Sequence, residues 1–147
     1  MSDKNRSKIK WRFKSKDGLK LFAHAFPSKN PPKAIICLTH GHGEHLERYK
    51  NLAAALNDAD YSMIGFDQRG HGQSDGPRGH TPSYETLLDD IDAFLAEVDD
   101  NYPDLPRILY GHSMGGNLAL NYALRRKPKL LGVIATGPWI KLAFEPP

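Results

Sequence analysis

Arg107-Ile108-Leu109-Tyr110-Gly111-His112-Ser113-Met114-Gly115-Gly116 passes from apolar to glycine-rich within ten residues, as a buried strand running into a tight turn does. Residues 117–126 follow, rich in Leu and Ala, and read as a helix. Strand, turn and helix with a serine at the tip make a nucleophile elbow. Gly111 and Gly115 flank Ser113 because so sharp a turn leaves little room for side chains, and the serine oxygen is lifted to the helix N-terminus. There the helix dipole and free N–H groups favour developing negative charge. A bare Gly-x-Ser-x-Gly arises often by chance; the strand before it and the helix after it give this one chemical meaning.

Upstream the same order recurs. Ala34-Ile35-Ile36-Cys37-Leu38-Thr39 is apolar without alternation, as a strand covered on both faces must be; a glycine-punctuated loop over 40–45 and a helix over 48–59 follow. In that helix Tyr49, Leu52, Ala53 and Leu56 share a face. A strand over 61–66, a loop over 67–74 and a helix from about residue 83 come next. Tyr84, Leu87, Leu88, Ile91, Phe94, Leu95 and Val98 form that helix's apolar stripe. Beyond the elbow helix, Pro128 stops the pattern and an apolar strand spans 131–136. Strands alternating with helices predict a parallel α/β sheet. The N-terminal part differs. Ile9, Trp11 and Phe13 alternate with Lys8, Lys10, Arg12 and Lys14, Asp17-Gly18 marks a turn, and 19–26 returns, so an antiparallel hairpin is expected at one edge. A chain of 147 residues holds one such domain, 1–147, and not two.

Composition narrows the function classes. Lys and Arg number 20 against 17 Asp and Glu, and the excess lies within residues 4–20, a balance that does not argue for nucleic acid. Cys37 is the single cysteine, so no disulfide forms within the chain, and its apolar surroundings predict a buried, inert thiol. The first residues are polar and no apolar run approaches a membrane span or signal-peptide core; a cytoplasmic protein without a cofactor is expected.

In an open α/β sheet the working groups gather where strands end and helices begin. The loop His40-Gly41-His42-Gly43, the loop 67–74 and Ser113 all fall at such ends. An ester-cleaving serine needs two N–H donors for the oxyanion, one from the residue after the nucleophile, here Met114, and one from the loop after an earlier strand. Gly41 and Gly43 let that loop curl, which leaves the N–H of His42 as the natural second donor.

His40-Gly41-His42-Gly43-Glu44-His45 with Arg48-Tyr49, then Asp67-Gln68-Arg69-Gly70-His71-Gly72-Gln73-Ser74, then Gly111-His112-Ser113-Met114-Gly115-Gly116 resemble the monoacylglycerol lipase and lysophospholipase group of α/β-hydrolases, the serine aminopeptidase type. The resemblance implies the α/β-hydrolase fold and hydrolysis of single-chain lipid esters. Ser113 would be the nucleophile, with His42 and Met114 as backbone oxyanion donors. Among the remaining histidines, His71 and His80 read as structural loop residues, with Asp67 and Arg69 holding their loop by hydrogen bonds and an ion pair. His24 reads as a sheet residue, and His112 as a packing or hydrogen-bonding one.

After Ser113 the sequence has no histidine, no aspartate and one glutamate, Glu145, so the family's order of serine, acid and histidine is not completed. The resemblance implies that the chain stops where a lid insertion begins, around 139–147, and is inactive alone. It further implies peripheral membrane contact through that lid, and an uncovered edge over 131–136 through which the chain self-associates. Two other readings remain. His40-x-His42-x-Glu44-His45 also resembles the zinc motif of metallo-β-lactamase-like hydrolases, with Glu where that family has Asp, and His40, His42 and His45 would then hold Zn²⁺. Alternatively the fold persists as a non-catalytic binding protein, which accounts for the missing acid and base.

Overall fold

The computed structural model describes residues 8–141, Ala143 and Glu145. Among them the elements are β1 (Lys10–Lys14), β2 (Lys20–Phe26), β3 (Ile35–Thr39), α1 (Lys50–Asp58), β4 (Ser62–Asp67), α2 (Tyr84–Asn101), β5 (Arg107–His112), α3 (Met114–Arg126) and β6 (Gly132–Thr136). The sheet order is β1-β2-β4-β3-β5-β6. β1 with β2 and β2 with β4 are antiparallel, and every later pairing is parallel. This is the expected α/β sheet with an antiparallel hairpin at one edge.

Uninterrupted apolar sequence put β3 at the centre, where it lies beside β4, and both strands are buried at every position. Side chains alternate across the pleat. Ile35 and Cys37 pack with Leu88, Ile91 and Phe94 of α2 and Leu118 and Tyr122 of α3, whereas Ile36 and Leu38 pack with Ala53 of α1 on the other face. Cys37 is fully buried, and that burial pushes its thiol up to about 12. The Phe66 and Phe94 rings lie 4.6 Å apart between sheet and α2.

Local chemistry sets the helix ends. Ser83 caps α2, its Oγ accepting from the Thr86 N–H at 3.1 Å. Tyr84 leaves the apolar stripe predicted for it: it is exposed, and its hydroxyl donates to Asn117 Oδ1 at 2.7 Å. The expected helix over 48–59 opens instead with a 3₁₀ turn, Leu46–Tyr49, before α1. Helix α3 starts at Met114, three residues ahead of the expected start at 117, because Ser113 alone makes the turn.

From β3 the chain moves one way to β4 and then back past β3 to β5. The strand order therefore reverses between β3 and β5, the kind of switch point at whose carboxyl ends doubly wound sheets bind ligands. His40 follows β3 and Ser113 follows β5.

One buried charge cluster ties the periphery to this end of the sheet. Arg69, 4% exposed, forks onto Asp90 of α2 with Nε to Oδ2 at 2.7 Å and Nη2 to Oδ1 at 2.8 Å. Its Nη1 and Nη2 also reach Asp17, in the β1–β2 turn, at 2.9 and 3.2 Å. Ser15 Oγ donates to Asp90 as well. The sequence placed Arg69 and Asp67 together as the anchors of this loop; both are anchors, but Arg69 finds other carboxylates. Asp67 instead accepts from the N–H groups of Leu46 and Gln73, each at 2.8 Å. Among the described residues, no helix is long and apolar enough to cross a membrane.

Candidate active site

Ser113 stands between β5 and α3 with φ 55° and ψ −119°. A residue with a side chain pays about 1–3 kcal/mol to stay in such a region, so its surroundings must hold it there. Its N–H donates to the Thr136 carbonyl at 2.9 Å, and its carbonyl accepts from the N–H groups of Asn117 at 3.1 Å and Trp139 at 3.3 Å. Backbone crowding explains the flanking glycines. A Cβ on Gly115 would sit 2.1 Å from the Thr39 carbonyl oxygen, and one on Gly111 would sit 2.1 Å from that of Gly115. Beside the serine, His112 Nδ1 is 2.8 Å from Thr136 Oγ1, a hydrogen bond across β5 and β6.

The loop after β3 lies against the elbow. A Cβ on Gly41 would be 3.2 Å from Ser113 Cβ. The Gly41 N–H donates to Glu44 Oε2 at 2.8 Å, and Tyr49 OH donates to the same oxygen at 2.6 Å. Burial works to raise the Glu44 pKa, but the bonds from Tyr49 and Gly41, with the charges of His112 and Arg48, together hold it below the ordinary carboxylate value. The Gly43 N–H donates to His71 Nε2 at 3.0 Å, and His71 Nδ1 donates to the Arg69 carbonyl at 3.0 Å. Neither the N–H of His42 nor that of Met114 has a partner among the described residues, and no hydrogen bond there engages Ser113 Oγ.

His40 is wholly buried and fully used. Its Nε2 accepts from the Gln68 N–H at 2.9 Å, which leaves the proton on Nδ1 to be donated to the Gly41 carbonyl at 2.7 Å. No lone pair remains for a metal. The His71 ring stands 5.3 Å from both the His40 and the His42 rings, and His42 and His45 are exposed. The zinc reading of His40, His42 and His45 therefore lacks a convergent ligand set, and no group of three or more metal-binding side chains occurs among the described residues.

Burial pushes His40 down to about 4, against an ordinary value of 6.5. The folded protein keeps it neutral while the unfolded chain takes up a proton near pH 6.5, so stability is fully present above that pH and falls as the pH drops toward 4. Urea unfolding should give a loss of roughly 2–3 kcal/mol between pH 7.5 and 4.5. His40→Gln should flatten the profile in that window; an unchanged profile would show that His40 is not the group responsible.

The sequence reading named Ser113, His42, Met114 and the glycines, but it put Tyr49 on an apolar helix face, gave Glu44 a place only in the zinc-like motif and gave Gln68 no role. The available signal was spacing: a glutamate three residues after Gly41 reaches back to its N–H across one turn.

Comparison with known proteins meets this geometry. The family described as serine aminopeptidase, S33, matches residues 30–147. The chain belongs to this family. Human monoglyceride lipase is 36% identical over 124 residues, covering 84% of this chain and 41% of that protein. A phospholipase of Bacillus subtilis is 34% identical, covering 78% of this chain and 44% of that protein. Among solved structures, the monoacylglycerol lipase of Paleococcus ferrophilus superposes with a TM-score of 0.74 at 36% identity, over 86% of this chain and 46% of that one. A monoglyceride lipase of Saccharomyces cerevisiae bound to a substrate analogue gives 0.80 at 28% identity, over 94% and 48%. The family has the α/β-hydrolase fold, and this chain spans less than half the length of these relatives.

Proposed function

We propose that this protein is a serine hydrolase cleaving carboxylic esters of single-chain lipids, monoacylglycerols or lysophospholipids, through an acyl-enzyme on Ser113. The observation that carries the reading is the strained backbone of Ser113 facing a loop whose His42 N–H has no partner among the described residues. Ser113 Oγ attacks the ester carbonyl as a general base takes its proton, the oxyanion is received by the N–H groups of His42 and Met114, and the alcohol leaves with the proton that the base now holds. Water then releases the fatty acid from Ser113. Relatives that are lipases and a phospholipase support a lipid ester. So does apolar surface next to the elbow: Trp139, bonded through its N–H to Ser113, is 47% exposed, and Ile140 is 73% exposed.

These residues form one α/β-hydrolase core domain. No histidine or aspartate follows Ser113 in the 147 residues, so the family's order of serine, acid and histidine is not completed within them. The chain alone then turns over short aryl esters weakly or not at all. Labelling with a serine-directed fluorophosphonate, on the chain alone and extended by whatever follows it in its reading frame, is the test. Labelling confined to Ser113 in the extended form supports the reading; no labelling in either form leaves a non-catalytic binding protein instead.

Self-association follows from the edge. Among the described residues β6 pairs only with β5, and Leu131, just before it, and Ile134, within it, are 68% and 41% exposed. Sedimentation of the 147-residue chain should give an average mass that rises with concentration, whereas a strict monomer at high concentration would mean the edge is protected.

A further inference from the structure

We infer that Glu44 and His71 are positioning residues that single out His42 as the one free donor of the loop beside Ser113; the inference rests on the ester-hydrolase reading. Three consecutive N–H groups, those of Gly41, His42 and Gly43, follow His40. The first donates to Glu44 Oε2 at 2.8 Å and the third to His71 Nε2 at 3.0 Å. The middle one is without a partner among the described residues. A glycine loop left to itself would sample many orientations, presenting any of the three.

Each anchor is itself anchored. Tyr49 OH donates to the same Glu44 oxygen at 2.6 Å, and the bond from His71 Nδ1 to the Arg69 carbonyl, 3.0 Å, fixes Nε2 as an acceptor. The Gly41 carbonyl is held by His40 Nδ1 at 2.7 Å. In a planar trans peptide the N–H points opposite to the C=O, so this bond turns the His42 N–H the other way. Glu44 and His71 then keep the peptides on either side from rotating. Donors fixed before charge develops need no reorganisation in the transition state, so the effect belongs in kcat rather than KM.

The test uses Glu44→Ala, Glu44→Gln and His71→Ala in whichever form of the protein turns over ester. Glu44→Ala and His71→Ala should each lower kcat about 10-fold to 100-fold with KM within about twofold. Glu44→Gln, which keeps an oxygen for the Gly41 N–H, should recover most of the loss. In ¹⁵N-labelled 147-residue chain, Glu44→Ala should shift the Gly41 amide upfield and speed its exchange, and His71→Ala should do so for Gly43. Where Glu44→Ala fails to fold, Tyr49→Phe replaces it, with a kcat loss of a few-fold expected. Unchanged kcat in variants whose Gly41 or Gly43 amide has moved overturns the positioning role and leaves the hydrolase reading standing. Amides that stay in place overturn the geometry itself. Absence of turnover and of Ser113 labelling in every form overturns the hydrolase reading, and the inference with it.

Discussion

Ser113→Ala should lower ester turnover about 10⁶-fold in the form of the protein that carries a base, while leaving the unfolding midpoint within experimental scatter. The removed oxygen is the proposed nucleophile; His112 is bonded to Thr136, and His40 and His71 have both ring nitrogens engaged, so none of these three replaces it. Alanine also keeps the conformational strain, since φ 55° is as awkward for Ala as for Ser. Glycine does not, so Ser113→Gly should be equally inactive yet more stable than the parent by about 1 kcal/mol. A stability gain in glycine and none in alanine would identify the cost as backbone strain held for the reaction. Turnover surviving in the alanine variant would remove Ser113 from the mechanism.

Arg69→Met should destabilise the protein by about 3–5 kcal/mol, read as a lower urea midpoint with little change in slope. The lost attraction is the smaller part of this. Asp90 is 1% exposed, and without the guanidinium its carboxylate is left buried with Ser15 Oγ as its one side-chain partner among the described residues. Asp17, at the surface, can return to water. Replacing both members, Arg69→Met with Asp90→Leu, should recover much of the loss because no unpaired charge is then buried. A double variant no better than the single one would locate the cost in displaced loops, since Arg69 joins the β1–β2 turn, the loop after β4 and α2.

How far the sequence could be read depended on the range of the interaction. The uninterrupted apolar run of 34–39 marked β3 as a central strand, and Gly111 and Gly115 around Ser113 marked the turn, because both signals are local. Arg69 and Asp90 are 21 residues apart, and nothing in either neighbourhood announces the other. The free His42 N–H was legible as a glycine-loop donor, but its selection by Glu44 and His71 was not. That selection depends on β3 and β4 lying side by side, which brings the loop with His71 against the one with Gly43. Tyr84 misled because helical spacing counts an aromatic ring as core, while this one sits at the first turn of α2 with its hydroxyl on Asn117.

Cys37 turns the centre of the sheet into a clock. It is the only thiol in the chain and fully buried, on a strand hydrogen-bonded to neighbours on both sides. A reagent such as an aromatic disulfide cannot reach it through local fraying; β3 must first part from its neighbours or from the helices over it. When reclosing is faster than modification, the observed rate divided by that of an unfolded-chain cysteine is the population of that opened state. A single absorbance trace in native buffer would then report the free energy of opening the sheet beneath Ser113, without denaturant or label.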